Sequence, residues 1–417
     1  AWVAAAFSVI GCSSSNSSPQ ASSPQDTDSG GCVGSACAAV LDGGTATPDA
    51  GEAGTTPAGT LAPLCSGNGG VGSPLPSGIS LLYDGQGAAS TYGATLVASG
   101  TEVFFGDQAV VRGIDVNDGS VTTYIDHSAD SADFEVVAFA VDDQSVYFND
   151  SGTSFGGMTG YGLARMPRAG AATPTTLLAD TAIGNFTVAQ GDGGFIYFEE
   201  TDPTGDAGSA IERIPTTGGT PTVILRGVLG GVRSIAVGGG YVYFMSTIGV
   251  GSYSNLYVAR VSTSAQAPGV DAGVGSDAGT DGGDADGGAS VAPQGSELVA
   301  ITGLETAGLA IDATNVYWGD EDKLMTATLA GGAPSMLAQA DPIGGQLVMT
   351  AVIQGIAPAG NFVYWSSYGC QALRKSPIAG NAGATTVVPN VSAFSVAATA
   401  THTYFTVGTE QVLSGPL

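Results

Sequence analysis

The chain has 417 residues, 66 of them glycine, with charged side chains at only 11% of positions and a formal net charge of -27. So acidic a surface repels phosphate backbones and anionic headgroups, which argues against nucleic acid as a partner and against direct adhesion to a lipid surface. Abundant glycine with few charges is a composition of short strands joined by tight turns, and recurring aromatics supply the apolar area for a core.

In chain order, the first segment is Ala1 to Cys12, an apolar run ending Val9-Ile10-Gly11-Cys12. Eleven residues before a cysteine are too few to span a bilayer but suit the apolar part of a signal peptide. Small residues after an apolar run, then Cys12 followed by Ser13-Ser14-Ser15, resemble the lipobox of bacterial lipoproteins. The resemblance implies export, acylation of Cys12 and a place in the cell envelope, at the outer membrane or cell surface. Several acyl chains make such attachment stable where one is marginal. The alternative is a plain secretory signal with an incidental cysteine.

Residues 13–78 are rich in Ser, Gly, Ala, Thr, Pro and Asp and contain no Lys or Arg. Such a segment cannot bury enough apolar surface to offset its ordering entropy, so it reads as a flexible acidic tether. Cys32 and Cys37 lie within it; in an oxidising compartment a small disulfide loop is favoured over a metal site, because no His and no second cysteine pair lies nearby. Cys65 and Cys370, the remaining two cysteines, are expected either to pair across the chain or to stay free.

From Ile79 onward the sequence repeats. Its anchors are the pairs Phe104-Phe105, Tyr147-Phe148, Tyr197-Phe198, Tyr243-Phe244, Tyr317-Trp318, Tyr364-Trp365 and Tyr404-Phe405, with second members 43, 50, 46, 74, 47 and 40 residues apart. A small apolar strand precedes each pair, and turns such as Asp-Asp-Gln-Ser and Asp-Ala-Thr-Asn join the two. A third strand follows, often with a central basic residue (Arg112, Arg165, Arg213, Arg260, Lys375; Thr326 is the exception), then a short fourth. Repetition of that residue predicts a shared structural role, with the stem packed and the charge at the blade edge.

Four strands every 40 to 50 residues predict an all-β fold, a β-propeller of seven four-stranded blades, with six as the alternative. The seventh unit lacks a fourth strand, and Ile79 to Tyr83 has the pattern to supply it, closing the ring and removing an exposed edge. The clearest unit, Gly308 to Ala340, with Val316-Tyr317-Trp318 after a small-apolar-Asp strand, resembles the YWTD and NHL-type propellers. That resemblance covers about Ile79 to Leu417 and implies architecture rather than activity; most pairs end in Phe, and the Thr-Asp half of the motif is altered. The expected organisation is a signal remnant over 1–12, a tether over 13–78 and a propeller over 79–417.

The long spacing contains an Asp- and Gly-rich insertion over 265–295. Closely spaced Asp can wrap calcium, but no EF-hand order or calcium-binding nonapeptide is present, so an acidic loop without cofactor is expected. No zinc, phosphate-loop or Gly-x-Ser-x-Gly pattern occurs, and the two histidines, His127 and His402, stand in different units. His402 takes a turn position, aligned with Asn315 and Asn361. No catalytic residue and no metal ligand is assigned. The expected function is therefore binding, recognition or scaffolding, with an unknown protein or polysaccharide as partner. The alternatives are a hydrolase or lyase, calcium-dependent by family analogy, acting on an extracellular substrate, or a structural envelope protein. The long loops between second and third strands of three successive units carry Phe155, Met158, Tyr161, Asp202, Asp206 and Tyr253, the expected ligand-binding residues, on a face turned away from the tether.

Overall fold

The computed structural model describes residues 75, 77–84, 95–107, 110–126, 139–149, 162–169, 173–179, 181–188, 194–201, 208–228, 231–247, 256–265, 293–302, 308–340, 352–367, 372–380, 383–389, 391, 393–407 and 411–417. The chain divides into two units, Ala1–Pro63 and Leu64–Leu417, and the described residues all belong to the second. Among them no helix is long and apolar enough to cross a membrane.

Seven four-stranded antiparallel sheets form the blades of a β-propeller. Blade 1 runs from Leu96 to Asp126, blade 2 from Phe139 to Ala179, blade 3 from Ile183 to Val228 and blade 4 from Val232 to Thr302. Blade 5 runs from Ala310 to Gln339 and blade 6 from Ile353 to Pro389; blade 7 comprises Ala393 to Pro416 plus the N-terminal strand Ser80–Asp84. The first strand of each blade touches that of the next all the way round, blade 7 meeting blade 1. The expected closure is present: Ser80, Leu81, Tyr83 and Asp84 pair antiparallel with Ser414, Leu413, Val412 and Gln411. The last blade thus has no open edge on its third strand.

The aromatic pairs explain why the blades stack. Neighbouring residues of a strand point to opposite faces, so each pair sends one ring forward and one back. Phe104 packs with Phe148 of the next blade, Tyr147 with Phe198, and Tyr197 with Phe244. Tyr243 packs with Trp318, Tyr317 with Trp365, Tyr364 with Phe405, and Tyr404 with Phe105, which returns to blade 1. All of these rings are essentially fully buried. Seven interfaces of one design are what the repeat encodes.

The small-apolar-Asp signature also has a structural use. Asp312 Oδ1 accepts the Thr314 and Asn315 amides at 2.7 Å and closes the turn, while Oδ2 accepts the Tyr317 hydroxyl at 2.6 Å. Asp142 does the same for Gln144, Ser145 and Tyr147 in blade 2. Burial, then the bond to and charge of Asp142, push the Tyr147 phenol up to about 12, so it remains a donor.

First strands are bulged where they meet the second strand in blades 3, 4, 6 and 7. A bulge leaves an amide without a ladder partner, and buried polar side chains supply one. Ser366 Oγ accepts Gly355 N at 2.9 Å and Thr406 Oγ1 accepts Ser395 N at 3.1 Å. Side chains at the bulge reach onward to the next blade. Asn185 Nδ2 donates to Val232 O at 2.6 Å, Ser234 Oγ accepts Leu309 N at 2.9 Å, and Ser395 Oγ accepts Leu96 N at 3.1 Å. At Gly355 the next blade comes so close that a Cβ would meet the Val396 amide nitrogen at 2.8 Å.

Candidate functional site

The expected ligand-binding residues Phe155, Met158, Tyr161, Asp202, Asp206 and Tyr253 all lie outside the described residues. So do Cys12, Cys32, Cys37, Cys65, Cys370, His127 and most of the Asp-rich insertion. The strand ends that flank the three loops are described: Asn149, Glu200 and Thr247 end second strands, on the same face of consecutive blades. A buried acid stands at that face. Glu199 is 4% exposed, and its Oε1 accepts the Val232 amide of the next blade at 2.8 Å. Burial raises its pKa; hydrogen bonds from Ser209 and from the Val232 and Asn185 amides act in the opposite direction. A Cβ on Gly184 would overlap this carboxylate, so a larger residue there would have to displace it. Its chemistry is spent on the bulge and the blade contact. Nearby, burial, then the hydrogen bond and charge of Glu200, push Glu212 up to about 7, with Arg226 opposing.

The third-strand basic residues form a second system. Tyr147, Tyr197 and Tyr243 pair with Arg165, Arg213 and Arg260, one register position in three blades. Each guanidinium crosses to the next blade and donates to the carbonyl just after its third strand: Arg165 to Thr216 O at 3.1 Å, Arg213 to Thr263 O at 2.6 Å, and Arg260 to Leu329 O at 2.8 Å. On the way it covers the ring that opens the second strand, Phe195 at 4.9 Å from Arg213 and Tyr241 at 4.2 Å from Arg260. Lys375 lies 4.8 Å from Phe362 in blade 6. The shared structural role is therefore present, but the charge sits between blades rather than at a blade edge. Arg112 departs from the expected register. It pairs with Phe105, Gly113 holds the equivalent place, and this shift of one residue turns Arg112 toward the Tyr83 ring of blade 7. The junction of blades 1 and 2 is joined from the other side, Arg168 meeting Glu102 at 2.9 Å.

At the seam where blade 7 meets blade 1, Ser414 occupies the arginine position, paired with Tyr404. There a cleft of about 360 Å³ opens, lined by Leu82, Thr101, Val116, Asn117, Thr399, His402, Tyr404 and Ser414 among others. A serine is too short to make the reach that arginine makes elsewhere. His402 sits where Asn315 sits in blade 5, two residues before the tyrosine, and equally where Phe195, Tyr241 and Phe362 sit; Asn361 aligns with Thr401 instead, one position earlier. Its ring lies 6.3 Å from that of Tyr404, the same spacing as Tyr241 to Tyr243. Its Nδ1 lies 3.0 Å from Thr401 Oγ1. Sequence reasoning missed this site, although the signal was present: a serine in the third-strand position where three other units carry arginine.

No protein-family model matches the chain, and no curated protein matches it in sequence. Solved structures do match. A selenomethionine-substituted virginiamycin B lyase from Staphylococcus aureus aligns with a TM-score of 0.53 and 15% identity, over 81% of this chain and 99% of that one. A chain from a mitotic checkpoint complex aligns at 0.50 and 12% identity, covering 86% and 99%. Puromycin hydrolase, as the S511A mutant complexed with PGG, aligns at 0.50 and 13% identity, covering 85% of this chain and 55% of that one. At such identities the likeness is one of fold.

Proposed function

We propose that the protein is a binding and scaffolding module of the bacterial cell envelope, exported, anchored through acylated Cys12 and held off the membrane by its tether. The observation that carries this reading is where the ring spends its polar groups. Asn185, Ser234 and Ser395 on the innermost strands, and Glu199 beside them, are consumed in hydrogen bonds between blades. A ring in which these inner polar groups join blade to blade supports recognition by surface loops rather than a reaction on its axis. The loops that carry Tyr161 and Tyr253 leave the same face of blades 2 and 4, and they hold the aromatic anchors that dominate interfaces. Their partner is a protein or polysaccharide of the envelope.

A photo-crosslinking side chain placed at Tyr161 or Tyr253 in the full chain, in cells, tests the reading. Defined adducts are expected there and not at Met336, an exposed residue on the outer strand of blade 5. Against the partner so defined, Tyr161→Ala with Tyr253→Ala should weaken binding at least about tenfold, or roughly 1.4 kcal/mol, with the melting temperature nearly unchanged. Equal labelling at Met336, or unaltered affinity in the double variant, would remove those loops as the recognition surface.

A further inference from the structure

We propose that the cleft at the seam of blades 7 and 1 is a seat for a cationic side chain, and that an arginine of a partner protein fills it. Internal repetition provides the argument. Every blade makes the same hydrogen bond from the residue after its third strand back to its first turn; Val116 N to Thr101 O at 2.9 Å is the blade 1 copy, and Thr216, Thr263 and Leu329 make the same bond in blades 3, 4 and 5. Val116 is therefore the counterpart of those three residues, whose carbonyls each receive a guanidinium from the preceding blade. At the seam the acceptor position is kept, as Val116. The ring that a cation covers is kept as His402, 6.3 Å from the Tyr404 ring. The small outer neighbour is kept too, since Ser80 pairs with Ser414 as Thr175 pairs with Arg165 and Thr222 with Arg213. What differs is the cation. A cleft stands where its stem would run.

The occupant must come from outside this tether, because residues 1–78 contain no Lys or Arg. A formal charge of -27 draws a cationic partner to the surface, and a carbonyl with an aromatic ring is a pair of groups that guanidinium satisfies together. This seat lies at the turns joining first to second and third to fourth strands, opposite the loops proposed above, and does not depend on them.

Having two histidines makes the test simple, because His402 gives one of only two imidazole Hε1 resonances. N-acetyl-arginine N-methylamide added to the full chain should move the His402 resonance saturably, with a roughly millimolar Kd, and leave His127 in place. The citrulline analogue, neutral and of the same shape, should move neither, and guanidinium ion alone should act at least about tenfold more weakly because it lacks the stem. Ser414→Arg should fill the seat from within, abolishing the titration and raising the melting temperature by a few degrees. Ser414→Met, a flexible neutral filler, should abolish the titration as well. Citrulline matching arginine, or a titration that persists in the Ser414→Met chain, overturns the proposal. A Ser414→Arg chain that loses its fold does so too, since the seat would then not accept the side chain it is said to fit.

Discussion

Replacing Trp365 by alanine is expected to lower the unfolding free energy by about 3–5 kcal/mol. The side chain is fully buried, packs against Tyr317, Leu324 and Leu337 of blade 5, and donates from Nε1 to Ser376 Oγ at 3.0 Å. Truncation would leave a cavity between two blades and a buried hydroxyl without its donor. Against a typical total of about 5–15 kcal/mol this is a large share. Chemical denaturation followed by far-UV circular dichroism measures it. Met336→Ala, on an exposed position of the same region, should change the midpoint little. A loss under about 1 kcal/mol for Trp365→Ala would mean that the interface is not packed as described.

The second large effect is expected at Glu199. Glu199→Ala removes the acceptor for the Val232 and Asn185 amides and should cost about 2–4 kcal/mol, because each buried amide left unpaired costs roughly 1–3 kcal/mol. Glu199→Gln keeps an acceptor oxygen and should cost less than the alanine change. The two variants also differ in pH dependence. Burial raises the Glu199 pKa above its ordinary 4.5, so the folded chain holds this proton more tightly than the unfolded chain does. Its contribution is favourable below 4.5 and declines as pH rises toward the folded pKa. Glu212, pushed up to about 7, acts in the same direction. Stability should therefore fall as pH rises from about 4.5 to about 7, less steeply in Glu199→Gln and in Glu212→Gln. A wild-type midpoint that rises across this window would contradict the assignment.

The fold was legible because its signal is redundant. Seven aromatic pairs at regular spacing each state the same thing, that both faces of a strand are buried, and only a stack of sheets meets that demand. The closing strand was legible for a related reason: the seventh unit is one strand short, and Ile79 to Tyr83 has the matching pattern. Register was less visible. Arg112 lies near the centre of its strand, as Arg165 does, yet one position separates the two faces of a strand, and sequence proximity cannot fix which face a residue takes. For the same reason His402 is the counterpart of Phe362 and not of Asn361. The bulges left no mark that a pattern of apolar residues would carry, so the use of Glu199, Ser366 and Thr406 as amide acceptors was not foreseen. The seam cleft depends on a substitution seen only against other repeats, Ser414 where blades 2, 3 and 4 carry arginine, and needed the pairing register before its meaning was plain.

That the chain's own first strand closes the ring is the claim on which both the fold and the seam site rest, and a cysteine pair tests it directly. Ser80 and Ser414 are opposite partners in the closing ladder, and opposed residues of antiparallel strands lie about 4.5–5.5 Å apart at Cα, within disulfide range. In a chain whose five native cysteines are serine, Ser80→Cys with Ser414→Cys should oxidise within one molecule. Peptide mapping would then join residues 80 and 414, and reduction would lower the melting temperature. Free thiols after oxidation, or bridges found only between two chains, would show that the seventh blade is completed in some other way.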